Sequence, residues 1–177
     1  MSFFEIVVLI LGTLSLIYIS WIGSLKPKRY HGIYRFFSFE SIFILVLLNY
    51  PVWFKDPLSL NQIISWILLL SSIFCAFFGF YLLYEKGKPE GQIENTANLV
   101  TSGMYKYIRH PLYLSLMLVG FGILLKNIGF TQIILASINI VFLVFTAKVE
   151  EKEMIKKFGN EYLDYMKKTK MFFPYIF

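Results

Sequence analysis

The sequence predicts an all-α protein, a polytopic membrane helix bundle of about five transmembrane helices with a C-terminal amphipathic cytoplasmic helix. Three observations carry this. Hydrophobic residues fill 57% of the 177 positions and charged residues only 16%, where soluble domains hold about 45–50% and about 25%. The apolar residues fall in uncharged runs near the roughly 20 residues that a spanning helix needs. The Lys and Arg residues gather in alternate loops, as positive-inside topology requires.

The elements follow in order. The chain opens MSFFE, an acidic flank unlike the basic start of a secretory signal, and residues 6–25 carry no charge, so an uncleaved first span is expected. Residues 36–54 form a second apolar run interrupted only by Glu40. Residues 57–84 form a third, long enough to tilt. The run at 111–125 is short for a span, and 130–147 is uncharged throughout. Only residues 126–129 separate these last two, which predicts a tight antiparallel hairpin. There is no repeat or low-complexity segment. One membrane domain over 1–177 is expected, with three spans in 1–85 and a loop, hairpin and terminal helix in 86–177.

Loop charge orients the bundle. The first loop holds Lys26, Lys28, Arg29 and Arg35, and the second only Lys55 beside Asp56. The third holds Lys86, Lys88, Lys106 and Arg109, and the fourth Lys126 alone. The tail adds Lys148, Lys152, Lys156, Lys157, Lys167, Lys168 and Lys170. The N-terminus is therefore expected outside, with the third loop and the C-terminus cytoplasmic.

Residues 150–168 repeat as a helix: Met154, Ile155, Phe158, Tyr162, Tyr165 and Met166 share one face, and Lys152, Lys156, Lys157, Glu161, Asp164 and Lys168 the other. Such a helix lies in the headgroup plane or packs over the third loop. Gly159 costs about 1 kcal/mol of helix propensity and marks a kink or a division into two helices. Phe172, Phe173 and Pro174 place the chain end near the interface.

Several chemistries are excluded. The net charge of +6 belongs to the loops rather than to one basic face, so no nucleic-acid partner is expected. Cys75, the single cysteine, sits in an apolar run and founds no disulfide framework. His31 and His110 are too far apart in sequence for a metal cluster, and no glycine-rich phosphate loop occurs.

The polar exceptions are informative. Glu40 lies within a span, where acids face the bundle interior or snorkel to the edge; a substrate role is one reading. Glu150 and Glu151 are adjacent carboxylates at a membrane edge, repelling each other and costly to desolvate. They form either a solvated helix start or a contact for a cationic ligand group. The stretch TSGMYKYIRHPLYLS, residues 101–115, packs Lys106, Arg109 and His110 against Pro111.

Taken together, LVTSGMYKYIRHPLY, then EEKEMIKKFGNEYLDYMKKT after the hairpin, and a Phe-Pro ending resemble the isoprenylcysteine carboxyl methyltransferase family, which shares this pattern with phospholipid N-methyltransferases. The similarity runs from about residue 98 to 174. It implies an integral-membrane enzyme that uses S-adenosyl-L-methionine. The implied cofactor contacts are Ala97, Asn98, Leu99 and Val100, then Tyr105, then His110, Pro111, Leu112 and Tyr113, and finally Glu150. Glu90 or Gln92 matches a further polar position upstream. A catalytic role is implied for Glu150; Arg109 is a catalytic candidate as a substitute, from the other loop, for an Arg that the family carries elsewhere, and snorkelling at the interface is the other reading of Arg109. The implied partners are a lipophilic small-molecule or prenylated acceptor and membrane lipids.

The chemistry of the cofactor suits these residues. Glu150 can accept from its ammonium. His110 and the first turn of a helix opened by Pro111 can receive its carboxylate. Tyr105 and Tyr113 offer π faces to the adenine or the sulfonium, and Leu99 and Val100 give apolar walls. One position departs from the resemblance. The prenylcysteine enzymes carry an Arg one helical turn before the matching Glu, where this chain has Thr146, which leaves the acceptor open among carboxylate, thiol, amine and hydroxyl. Two other readings stand beside this one: a membrane NADPH-dependent sterol-type reductase of related architecture, and a non-enzymatic membrane scaffold.

Overall fold

The computed structural model describes residues 3–22, 31–90 and 95–176. Among them are six α-helices and no strand: α1 Phe3–Ser20, α2 His31–Asn49, α3 Leu60–Leu82, α4 Pro111–Leu124, α5 Phe130–Phe158 and α6 Asn160–Lys168. The helical membrane architecture is as expected. Four helices are long and apolar enough to cross a membrane: α1, α2 extended to Val52, α3 extended to Gly87, and α5. The fifth apolar helix, α4, has 14 residues. At 1.5 Å per residue it spans about 21 Å, short of a hydrocarbon core of about 30 Å.

Some boundaries differ from the expected ones. The first α-helix is described over Phe3–Ser20; the expected end near Leu25 and Lys26, Lys28 and Arg29 of the first basic loop lie outside the described residues. Helix α2 starts at His31, so Arg35 is helical rather than a loop charge. The largest difference is at the C-terminal side. The expected span and the start of the tail helix are one helix through Phe158, and only Gly159 divides it from α6. Gly159 has φ +58° and ψ −130°, a conformation that costs any residue with a Cβ.

The chain divides into two compact units. The first comprises Met1–Leu69 and Met117–Thr146. Its core joins Leu45, Ile123 and Ala136, with Ile42, Val46, Leu69 and Val119 packed around them. Lipid tails are as apolar as leucine, so helices in a bilayer associate through close packing and buried polar contacts. Here Asn49 donates to the Ile123 carbonyl at 2.7 Å and Ser65 to the Gly122 carbonyl at 2.6 Å. Asn139 donates to Ser38 Oγ at 2.8 Å. A Cβ on Gly120 would lie 2.7 Å from Asn139 Oδ1, so that approach requires glycine.

Two charged residues of this unit are held in specific contacts. Glu40 accepts from Thr13 Oγ1 at 2.6 Å, tying α2 to α1. Lys126, expected as a loop charge, is buried. Its Nζ lies 2.9 Å from Gln62 Oε1 and 3.8 Å from the centre of the Trp66 ring. Burial lowers its pKa, while the indole face and the amide oxygen replace part of its hydration.

The second unit comprises Leu70–Leu116 and Ala147–Phe177. It contains the sequence-predicted site.

Candidate active site

The walls of the site are built from short, strongly determined pieces. Helix α3 ends in a wide turn over Leu83–Gly87, and Lys88 takes a left-handed conformation at φ +51°. The chain then folds back: Ala97 N–H bonds the Lys88 carbonyl at 3.1 Å and Asn98 N–H the Gly87 carbonyl at 3.0 Å. Leu99 and Val100 follow without helix. Gly103, at φ +61°, starts a 3₁₀ turn over Gly103–Lys106. The turn buries Tyr105, which packs with Leu82 and Val100.

Residues 107–110 run beside the C-terminal strap. Lys170 N–H bonds the Tyr107 carbonyl at 3.1 Å, Arg109 N–H the Lys170 carbonyl at 2.8 Å, and His110 N–H the Met171 carbonyl at 3.1 Å. Phe172, almost fully buried, sets its ring 5.9 Å from that of His110. Pro111 then opens α4, where a residue without an N–H costs the helix nothing.

Charges meet at the end of α5. Arg109 Nε donates to Glu151 Oε1 at 2.6 Å, and the two side chains are only 9% and 8% exposed. Its Nη1 donates to the Thr169 carbonyl, also at 2.6 Å. A buried ion pair is favourable only when further hydrogen bonds satisfy it, and the Thr169 carbonyl supplies one. His110 Nε2 lies 3.2 Å from the same Glu151 oxygen. A carboxylate only accepts, so Nε2 carries the proton in that contact. His110 Nδ1 lies 3.7 Å from Glu150 Oε2, and the ring stacks on Tyr113 at 5.4 Å with planes 14° apart. Consecutive helical residues point about 100° apart, which separates the two acids. Glu151 is taken up by Arg109 and His110, while Glu150 lines a cavity.

That cavity is a cleft of about 600 Å³, the solvent at its mouth included. Its apolar wall is Leu83, Leu99, Val100, Leu112, Met154 and Phe158. Its polar groups come from Thr96, Arg109, His110 and Glu150, and four tyrosines complete it: Tyr105, Tyr113, Tyr162 and Tyr165. Tyr165 donates to the Tyr105 carbonyl at 2.7 Å, fastening α6 to the 3₁₀ turn. Both α6 phenols are pushed well above the ordinary tyrosine range. Burial is the main cause for each; the Glu151 and Glu150 carboxylates add to it at Tyr162, and Glu151 at Tyr165.

Of the residues expected at a site, the cavity gathers Leu99, Val100, Tyr105, Arg109, His110, Leu112, Tyr113 and Glu150. It does not include Ala97, Asn98 or Pro111. Ala97 and Asn98 are exposed on the turn, where Asn98 Nδ2 reaches the Lys86 carbonyl at 3.3 Å. Pro111 is buried under the start of α4. Glu90 is exposed on the same turn, and Gln92 lies outside the described residues. Met154, Phe158, Tyr162 and Tyr165 were legible only as the apolar face of a helix, because periodicity identifies a face without saying what it faces. Leu83 and Thr96 carry no sequence signal.

Comparison with known proteins identifies the family. The model of the family described as Phospholipid methyltransferase matches residues 60–161. The chain is 25% identical over 176 residues to a methanethiol S-methyltransferase of Crocosphaera subtropica, covering 89% of this chain and 66% of that protein. It is 35% identical over 95 residues to the protein-S-isoprenylcysteine O-methyltransferase of Xenopus laevis, covering 49% of this chain and 31% of that protein. The matches thus reach less than two thirds of the length of these curated relatives. The matched family segment takes in α3, α4, α5 and the start of α6, hence nearly every wall of the cavity, and the chain belongs to the phospholipid methyltransferase family.

Proposed function

We propose that the chain is an integral-membrane methyltransferase that takes a methyl group from S-adenosylmethionine and delivers it to a lipophilic acceptor. The observation that carries this is one cleft in which one wall is aliphatic, Glu150 is presented by α5, and His110 is stacked on Tyr113. Those features fit the cofactor part by part. Leu99 and Val100 suit a purine face, and the Glu150 carboxylate suits an ammonium. The aromatic faces suit a sulfonium.

When bound, the cofactor supplies a methyl group already activated on a positive sulfur. The residues of the chain align and shield. Leu83, Leu99, Leu112 and Phe158 keep water from the reacting atoms. Glu150 and His110 orient the ligand, and orientation is what an in-line displacement chiefly needs. Arg109 acts through its contacts: its guanidinium holds Glu151 and the Thr169 carbonyl, which sets the end of α5 against the end of α6. The relative named for S-isoprenylcysteine supports an acceptor that partitions into a bilayer, and the one named for methanethiol supports a thiol as the accepting group. Lysine distribution supports a cytoplasmic C-terminus and cavity, with the N-terminus outside.

The test is calorimetry with S-adenosylhomocysteine on the purified protein in detergent, followed by labelled-methyl incorporation into a membrane lipid extract. Saturable one-site binding and a labelled product are expected. Binding of NADPH in place of the nucleoside would reject the reading.

A further inference from the structure

We propose that Tyr162 is a ligand-binding residue, its phenol oxygen serving beside the Glu150 carboxylate as a second acceptor for the cationic amino group of the bound methyl donor. The inference rests on the cofactor reading above and assigns a role to a side chain that sequence patterning places only on an apolar helix face.

Tyr162 is 4% exposed and lines the same cavity as Glu150. Among the described residues its hydroxyl makes no hydrogen bond. A hydroxyl that lines a cavity and has no protein partner keeps both its proton and its oxygen lone pairs for a ligand placed there. The contrast with Tyr165, three residues on, is direct. Both are buried tyrosines on one face of α6, and their rings meet edge to face at 5.7 Å and 63°. Tyr165 spends its hydroxyl on the Tyr105 carbonyl at 2.7 Å. That bond anchors the helix, so Tyr162 is held in place by its neighbour rather than by its own polar group.

Charge selects the ligand group. Arg109 pairs with Glu151 at 2.6 Å, and among the described residues Glu150 is the carboxylate that lines the cavity. An ammonium brings three N–H donors, more than one carboxylate satisfies in one direction, and a protonated phenol still offers oxygen lone pairs. Burial and the two carboxylates keep the Tyr162 phenol protonated. A neutral second acceptor binds the cation without adding to the repulsion between the acids.

The experiment uses the whole protein in detergent and two probes. One is S-adenosylhomocysteine, and the other is its deamino analogue, with hydrogen in place of the amino group. Tyr162→Phe should weaken the first about tenfold or more, as expected for a lost hydrogen bond to a charged group, and leave the second unchanged. The ligand-free melting temperature should stay at the wild-type value, because the hydroxyl has no protein partner to lose. Unchanged affinity for S-adenosylhomocysteine, equal weakening of both probes, or a lowered ligand-free melting temperature would each overturn the proposal. Failure of the wild-type protein to bind S-adenosylhomocysteine would instead remove the cofactor reading on which it rests.

Discussion

Adjacent glutamates carry different duties here. Glu150 faces the cavity, while Glu151 is sealed between Arg109 and His110. Glu150→Ala should therefore weaken S-adenosylhomocysteine binding by roughly tenfold or more, through loss of a charge-assisted contact, and should lower the melting temperature less than Glu151→Ala does, since its contact with His110 Nδ1 is long, at 3.7 Å. Glu151→Ala should act the other way round, lowering stability by about 3–5 kcal/mol because it leaves the Arg109 guanidinium buried without its counterion. Thermal melts and calorimetry on both variants check the split; equal effects would refute it. Arg109→Lys should not rescue, because an ammonium cannot bridge Glu151 and the Thr169 carbonyl as a planar fork does. The α6 tyrosines set an alkaline limit. Their folded-state pKa values lie above the ordinary 10.0, so the folded protein holds these protons more tightly than the unfolded chain. Their contribution is complete below about pH 10 and is lost as pH rises above it. Tyr162→Phe should flatten the fall in melting temperature above pH 10 and leave the profile near neutrality unchanged.

At the scale of elements, one glycine and one strap shape the cavity. Gly159 turns the chain so that Met154 and Phe158 of α5 and Tyr162 and Tyr165 of α6 line one hollow. A Cβ there meets nothing within 4 Å, so any cost of Gly159→Ala comes from backbone strain alone. That cost should be about 1–3 kcal/mol, read as a lower melting temperature with weakened ligand binding. The strap is the second device. Truncation after Lys168 removes the acceptors of the Arg109 and His110 amides and the buried Phe172 ring. Amide exchange at residues 109 and 110 should then accelerate sharply, while exchange in the middle of α3 should not change. The tail-helix pattern was legible in the sequence, because apolar spacing records burial directly. Its fusion with the last span was not, because Lys148 and Lys152 look like a membrane boundary although the backbone stays helical through them.

For the whole molecule, the proposed orientation rests on charge placed in alternate loops. In a Cys75→Ala background, a cysteine at position 157 should react with an impermeant thiol reagent only from the cytoplasmic side, and one at position 55 only from the opposite side. The reverse pattern would invert the orientation. Lys126 shows the limit of reading charge from sequence, since a lone loop lysine is packed on Trp66 and bonded to Gln62 rather than solvated. By itself the sequence determined the helical membrane class, the elements and their approximate ends, and most of the stretches that line the cavity. Apolar run length and helical period are local properties, set by the bilayer and by the backbone hydrogen-bond repeat. Only the tertiary structure decided that Arg109 and His110 meet Glu151, that Glu150 is left to line the cavity, and that Tyr162 and Tyr165 close it. Those assignments depend on which side chains from positions up to 60 residues apart come within hydrogen-bond reach, and no local pattern encodes a distance across the fold.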